Sequence, residues 1–270
     1  MAAKSRIDTA LVARGLAESR EKAQAAIMAG EVYLNQVRVR KASETVSEED
    51  ELSLHASSPR YVSRGALKLE KARQVFHADF RDRVVLDVGA STGGFTDVCI
   101  QSGARRVYAV DVGYGQLDWK LRNHPKVTVM ERTNARYLLP EMFEEKPEMA
   151  VMDVSFISIR LILPALAGIL GGGGVIYSLI KPQFEAGREH VGKKGVVRDP
   201  AVHLDVLRQI YDFIPSIGWK MTGVDFSPIT GPEGNIEFLT ELKPSSAESP
   251  PVGAEALEET VAEAHRHFGR

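Results

Sequence analysis

The chain has 270 residues, 44% of them hydrophobic and 26% charged, a balance that supplies a core for one large domain or for a medium domain plus a small one. With 34 Lys and Arg against 36 Asp and Glu the formal net charge is −2, so bulk charge cannot hold nucleic acid and any such binding has to come from local basic patches. A single cysteine, Cys99, excludes an internal disulfide and a zinc site built from several thiolates, and makes the reducing cytoplasm the default expectation.

The opening Met-Ala-Ala-Lys-Ser-Arg is followed by no apolar run and does not read as a secretion signal. Leu11, Val12, Leu16, Ala23, Ala26 and Ile27 then recur at helical spacing and predict two short helices, the second capped by Ser19 and ended by Ala29-Gly30. Val32, Leu34, Val37 and Val39 alternate around Asn35-Gln36, which predicts a strand pair with a tight turn. Between Lys4 and Lys41 eight basic residues (Lys4, Arg6, Arg14, Arg20, Lys22, Arg38, Arg40, Lys41) stand against four acids (Asp8, Glu18, Glu21, Glu31), a local charge of 8 − 4 = +4. The acidic run Glu48-Glu49-Asp50-Glu51 restores the balance and hides this basic face from the total.

Ser57-Ser58-Pro59-Arg60-Tyr61-Val62-Ser63 reads as a linker. Beyond it Ala66 to Phe76 is amphipathic, and short apolar runs at 84–87, 107–110, 127–130, 150–152 and 175–180 alternate with helical segments near 95–101, 116–122, 159–170 and 201–214. That alternation predicts a parallel sheet covered on both faces. Lys220–Phe226 and Glu237–Leu242, joined by Pro228 to Gly234, predict an antiparallel addition. Leu161 to Ile180 carries no charge and is long enough on paper to span a bilayer, but Pro164 and Gly171 to Gly174 interrupt it. Each of those glycines costs about 1 kcal/mol relative to alanine in a helix, so the stretch reads as a buried helix, a turn and a buried strand. Pro244 to Gly253 is expected to be mobile, and Ala254 to Phe268 to form a terminal amphipathic helix.

The chemistry concentrates at strand ends. Leu86-Asp87-Val88-Gly89-Ala90-Ser91-Thr92-Gly93-Gly94-Phe95-Thr96 is a strand, a glycine-rich turn and a helix start, and the next strand ends in Asp111, placed to receive ribose hydroxyls. The order points to a nucleoside cofactor. The second glycine of a dinucleotide fingerprint is replaced by Ser91, and there is no GKS/T phosphate loop. A carboxylate at Asp87 would repel a pyrophosphate but suits the cationic amino acid end of S-adenosylmethionine, which is therefore favoured over NAD. Asp153 and Lys181 end two further strands and are expected at the same crevice. Cys99 lies in an apolar helix and reads as a packed thiol. The seven histidines show no metal-site spacing, so no metal is expected.

Arg6-Ile7-Asp8, Arg14-Gly15-Leu16-Ala17-Glu18-Ser19-Arg20, Ala29-Gly30-Glu31-Val32 and Asn35 resemble the S-four RNA-binding domain. The remainder, including Ser63-Arg64-Gly65-Ala66-Leu67-Lys68-Leu69 and Gly231-Pro232-Glu233-Gly234-Asn235, is similar to the FtsJ-like methyltransferases. In this order the two resemble the TlyA (haemolysin A-like) family of rRNA 2′-O-methyltransferases acting on cytidines of 16S and 23S rRNA. The resemblance implies a small α+β RNA-binding domain over 1–58, a linker over 59–65, and a Rossmann-like class I methyltransferase domain over 66–243. That domain's mainly parallel sheet would carry an antiparallel closing strand, and a flexible tail with a terminal helix would follow over 244–270. It implies a catalytic tetrad on Lys68, Asp153, Lys181 and Glu237, with S-adenosylmethionine bound by Asp87, Gly89, Ala90, Ser91, Gly93, Gly94, Phe95, Asp111, Asn134 and Asp153. Together with the basic pattern it places RNA contacts on Arg6, Arg14, Arg20, Lys22, Arg38, Arg40 and Lys41, on Arg60 and Arg64, and on Arg188, Lys193 and Lys194.

The glycine-rich loop from Gly187 to Arg198 follows Lys181 and is expected to close over RNA, with binding that weakens steeply with salt. Removing a proton from the ribose hydroxyl falls to Lys181, with Lys68 placed to stabilise the developing alkoxide. The expected partners are rRNA or ribosomal subunits, without stable membrane association. Two other readings compete: a membrane-active haemolysin, resting on Leu161 to Ile180, and a non-catalytic RNA-binding ribosome assembly factor.

Overall fold

A computed structural model describes residues 5–35, 37–39, 41–47, 49–54 and 61–269. The chain divides into two compact units, residues 1–60 and 61–270. The expected domain edge at 58 and the linker residues Ser57 to Arg60 lie outside the described residues.

In the first unit, β1 (Ser5–Arg6) leads into α1 (Ile7–Ala13), followed by α2 (Arg20–Ala29), β2 (Val32–Leu34), β3 (Val37–Arg38), β4 (Thr45–Val46) and β5 (Leu52–Leu54). The Ser19 hydroxyl accepts the Lys22 N–H at 3.2 Å and Gly30 ends α2 at φ +75°, the cap and stop read from the sequence. The strands pair in the order β3-β2-β5, with β1 beside β4. Ile7, Leu11, Ala23, Ile27, Val32 and Val46 form the core.

The second unit is an open sheet with helices on both faces. In chain order it comprises α3 (Ala66–Val75), β6 (Val84–Val88), α4 (Gly94–Gln101), β7 (Arg106–Val110), α5 (Trp119–Arg122), β8 (Val127–Met130) and β9 (Met149–Met152). Then come α6 (Leu163–Leu170), β10 (Val175–Ile180), α7 (Pro182–Glu185), α8 (Pro200–Phe213), β11 (Trp219–Phe226), β12 (Phe238–Pro244) and α9 (Ala254–His267). The strand order is β11-β12-β10-β9-β6-β7-β8; β10, β9, β6, β7 and β8 run parallel, and β12 is antiparallel to both β10 and β11. Alternate residues serve opposite faces: Leu86, Tyr108, Met152 and Ile176 pack with residues of α6, α8 and α9, and Val85, Val107, Val151 and Tyr177 with those of α3 and α4. The order reverses between β6 and β9, the switch point where such sheets bind ligands beyond the strand carboxyl ends.

Several expected elements are altered. The helix over 159–170 splits into a 3-10 turn at Ile159–Leu161 and α6, which places Pro164 in the first turn, where its missing N–H is harmless. The helix over 116–122 shrinks to α5, capped by the Asp118 side chain. Glu237 precedes β12 rather than lying in it. The tail expected to be mobile is tied to the sheet: Ser245 N–H donates to the Gly218 carbonyl and Val252 N–H to that of Met221, both at 2.9 Å. The Lys220 ammonium donates to the Ala247 carbonyl at 2.5 Å. Leu257, Val261 and Ala264 of α9 are buried in the main core, a burial that Pro/Ser-rich composition in the preceding segment cannot reveal. Leu161 to Ile180 forms the end of the 3-10 turn, α6, the glycine turn and β10; among the described residues no helix is long and apolar enough to cross a membrane.

Candidate active site

The turn after β6 is shaped by one close approach. Gly89 sits at φ +82°, and a Cβ there would lie 2.5 Å from the Asp153 carbonyl oxygen; only glycine lets the ends of β6 and β9 come this near. Asp111, at the end of β7, fastens the same turn, its carboxylate accepting the N–H groups of Ser91 (2.8 Å) and Gly113 (2.7 Å). Asp111, Gln116, Asn134 and Ser155 line a cavity of about 360 Å³ walled by Val110, Ala135 and Ile157. Asn134 also caps a 3-10 turn by accepting the Arg136 N–H at 3.1 Å.

An adjoining cavity of about 340 Å³ gathers Lys68 from α3, Asp153 from the end of β9, Lys181 from the end of β10 and Glu237 from just before β12. The two cavities share Gly89, Ser91, Asp153 and Ser155. The Lys68 ammonium lies 2.6 Å from Glu237 Oε2 and 3.3 Å from Asp153 Oδ2. Lys181 Nζ lies 2.5 Å from Asp153 Oδ1 and donates to Ser155 Oγ at 2.9 Å. One carboxylate therefore bridges two amines. Burial works against the Lys68 charge, but the carboxylates of Asp153 and Glu237 outweigh it and hold this ammonium above the usual lysine range.

Of the residues expected to bind cofactor, Ala90, Ser91, Gly94 and Phe95 line the Lys68 cavity. Gly93 lines neither; a Cβ there would run into the side chains of Leu117 and Leu121. Asp87 requires a correction. Every residue of β6 is buried, and Asp87 falls on the Val85 face against α4, lining neither cavity. Its Oδ2 accepts the Thr96 hydroxyl at 2.5 Å, and Oδ1 is buried with no hydrogen-bond partner among the described residues. Burial pushes the carboxyl up to about 7, so the electrostatic argument for a carboxylate facing a cationic ligand does not describe this side chain. The folded chain holds the Asp87 proton over a pH range in which the unfolded chain has released it, so stability falls as pH rises from about 4 towards 7. Between about pH 5 and 7 this contribution is on the order of 2 kcal/mol. Asp87→Asn is expected to remove it, which thermal melts of the ligand-free protein across that range would register.

Sequence reasoning passed over three residues. Ser155 meets Lys181 directly. The buried Glu185 carboxylate, which burial pushes above the usual range, accepts the Ser158 hydroxyl (2.6 Å) and the Ile159 N–H (2.8 Å), joining the segment after Lys181 to the segment after Asp153. Asn235, 2% exposed, accepts the Val197 N–H at 3.0 Å and donates to the Gly195 carbonyl at 2.8 Å. Only Asn235 had a signal in the sequence, its place in Gly231-Pro232-Glu233-Gly234-Asn235 two residues before Glu237. The loop expected to close is therefore anchored, with Val196 and Val197 buried and Arg188, Lys193 and Lys194 exposed. Asn235→Ala is expected to free it and to raise the rate of tryptic cleavage after Lys193 and Lys194 about tenfold, through the loss of two hydrogen bonds.

The basic residues are partly committed within the chain. The buried Asp8 carboxylate takes Arg6, Gln24 and Arg20, which together hold it well below the usual carboxylate range, while both arginines stay about half exposed. Arg14 donates to the carbonyls of Ser47 and Asp50, both at 2.7 Å. Lys22 pairs with Glu18, Lys41 is exposed and Arg64 lines the Lys68 cavity. Arg40, Arg60 and the side chain of Arg38 lie outside the described residues.

A parallel sheet closed by an antiparallel pair, with charged side chains converging at its switch point, is the Rossmann-like methyltransferase architecture. Residues 61–243 match the FtsJ-like methyltransferase family profile and residues 5–52 the S4 domain profile. A Bacillus subtilis protein named as a candidate rRNA methyltransferase, YqxC, is 52% identical over 266 residues, covering 97% of this chain and 95% of its own. The Mycobacterium tuberculosis 16S/23S rRNA (cytidine-2′-O)-methyltransferase TlyA is 43% identical, covering 97% of each chain. A solved structure named as a candidate hemolysin, from Streptococcus thermophilus, superposes with TM-score 0.76 at 48% identity, covering 100% of this chain and 98% of that one. The chain belongs to the FtsJ-like methyltransferases and, with its S4 domain, to the TlyA (haemolysin A-like) family.

Proposed function

We propose that the protein is an S-adenosylmethionine-dependent 2′-O-methyltransferase of rRNA, acting on cytidine in 16S or 23S rRNA or both. The observation that carries this reading is the meeting of Lys68, Asp153, Lys181 and Glu237 in one cavity beside the Asp111 cavity. The residues present fit the cofactor: each Asp111 oxygen takes one backbone N–H and has a further lone pair, as a ribose diol requires. Asn134 and Gln116 add polar contacts for a nucleoside, and the shared Gly89–Ser91 turn leads from there to the lysines. S-adenosylmethionine supplies an activated methyl group.

The chain's own task is to orient a ribose hydroxyl and take its proton. Lys68 is poorly suited to take it, because two carboxylates hold it as an ammonium; its charge stabilises the oxygen as the proton leaves. Lys181 contacts one oxygen of the shared carboxylate and a neutral hydroxyl and is the base. Asp153 spaces the two amines, and Glu237 fixes Lys68. RNA is held by the exposed faces of Arg6, Arg20 and Lys41 in the S4 domain and by Arg64, Arg188, Lys193 and Lys194 in the catalytic domain. Mass mapping of ribose methylation in rRNA from cells with and without the protein tests this. Loss of at least one 2′-O-methylcytidine is expected; identical maps would overturn the reading.

A further inference from the structure

We propose that Ser155 is a positioning residue for the Lys181 amine. A lysine side chain has four rotatable bonds and a charge without directional preference, so a carboxylate alone does not fix where its nitrogen points. Here the carboxylate is also shared, since Asp153 faces Lys68 through its other oxygen at 3.3 Å. Ser155 supplies a second, neutral anchor at 2.9 Å. With Asp153 and Ser155 on two corners of the nitrogen, the third is left for the cavity. Ser155 stands on the boundary of both cavities, on the route between the nucleoside side and the amines.

The backbone holds this pair in register. Phe156, directly after Ser155, has φ +64°, a conformation that side chains larger than glycine's rarely adopt. Its ring rests on Phe184 with centroids 5.0 Å apart, and Glu185 takes the Ser158 hydroxyl and the Ile159 N–H. Phe184 and Glu185 belong to α7, which starts immediately after Lys181. The segment 155–159 and the segment 181–185 are thus clamped at three points, and the Ser155–Lys181 contact is the one that reaches the cavity. The strained turn at Phe156 aims Ser155 back at the amine.

This inference rests on Lys181 as the base. The test compares the unmodified protein with Ser155→Ala, Ser155→Thr, Lys181→Ala and the Ser155→Ala/Lys181→Ala double variant. Single-turnover methyl transfer to rRNA gives the rate, and calorimetry gives S-adenosylmethionine affinity. Ser155→Ala is expected to slow transfer roughly 10- to 100-fold at saturating S-adenosylmethionine, a loss that remains once any change in cofactor affinity at the Asp111 cavity, which Ser155 also lines, is saturated out. Ser155→Thr, which keeps a hydroxyl, should recover most of the rate. In the Lys181→Ala background Ser155→Ala should add nothing, because the group it positions is gone. An unchanged rate in Ser155→Ala, no recovery by threonine, or a full multiplicative loss in the double variant would overturn the proposal. Absence of transfer by the unmodified protein would overturn the enzymatic reading itself, a separate outcome visible in the same experiment.

Discussion

Lys181→Ala is expected to lower single-turnover methyl transfer to rRNA by roughly 1,000-fold, the scale of losing a positioned general base. S-adenosylmethionine affinity measured by calorimetry should barely move, because Lys181 does not line the Asp111 cavity. The fold should tolerate the change: the alanine variant leaves Asp153 with its Lys68 contact at 3.3 Å, so no carboxylate is stranded. Lys68→Ala is the instructive contrast. Glu237 is 1% exposed and has Lys68 at 2.6 Å; removing that ammonium leaves a buried charge uncompensated, at about 3 kcal/mol. Lys68→Ala should therefore lose both activity and thermal stability, and Lys181→Ala activity alone. A Lys181→Ala protein that transfers methyl groups at the original rate would sink the assignment of the base.

Gly89→Ala is expected to destabilise the catalytic domain by about 4 kcal/mol, combining the left-handed backbone penalty with a backbone collision. The Cβ would meet the Asp153 carbonyl oxygen at 2.5 Å and the carbonyl carbon at 3.0 Å, and the obstacle is backbone that cannot rotate away. Relief requires β6 and β9 to separate where they carry the cofactor turn and Asp153. Thermal melts should show the loss of stability, and calorimetry should show S-adenosylmethionine affinity reduced at least about 100-fold through the displaced turn. Gly93→Ala makes a useful comparison, since the atoms it would meet are the movable ends of Leu117 and Leu121, so only its φ of +97° carries a fixed penalty.

Strand identity was legible because buried parallel strands read as short apolar runs: 150–152 falls within β9 and 175–180 coincides with β10. The cap at Ser19 and the helix stop at Gly30 were legible because both depend on local backbone chemistry. The four tetrad side chains could be named from resemblance, and two of them, Asp153 and Lys181, from their places at strand ends. Asp87 was misread because a motif gives residue order and not which face of the strand a carboxylate takes. The tail was misread because Pro and Ser content reports local preference, whereas Leu257, Val261 and Ala264 are held by a surface formed elsewhere. Ser155 and Glu185 were silent for a related reason, since a polar side chain shows nothing until its partners, 26 or 27 positions away, are in place.

By itself, then, the sequence determined the alternation of strands and helices, the glycine turn, the acid after β7 and the basic stretch from Lys4 to Lys41. These follow from periodicity, backbone freedom and residue type, all read within a few neighbours. Only the tertiary structure decided that Asp153 stands between two amines, that Lys68 is locked as an ammonium while Lys181 keeps a corner for the cavity, and that Asp87 is withdrawn behind the turn. Charge, desolvation and hydrogen bonding act across a few ångströms of space, and the chain brings those groups together from positions as far apart as Lys68 and Glu237.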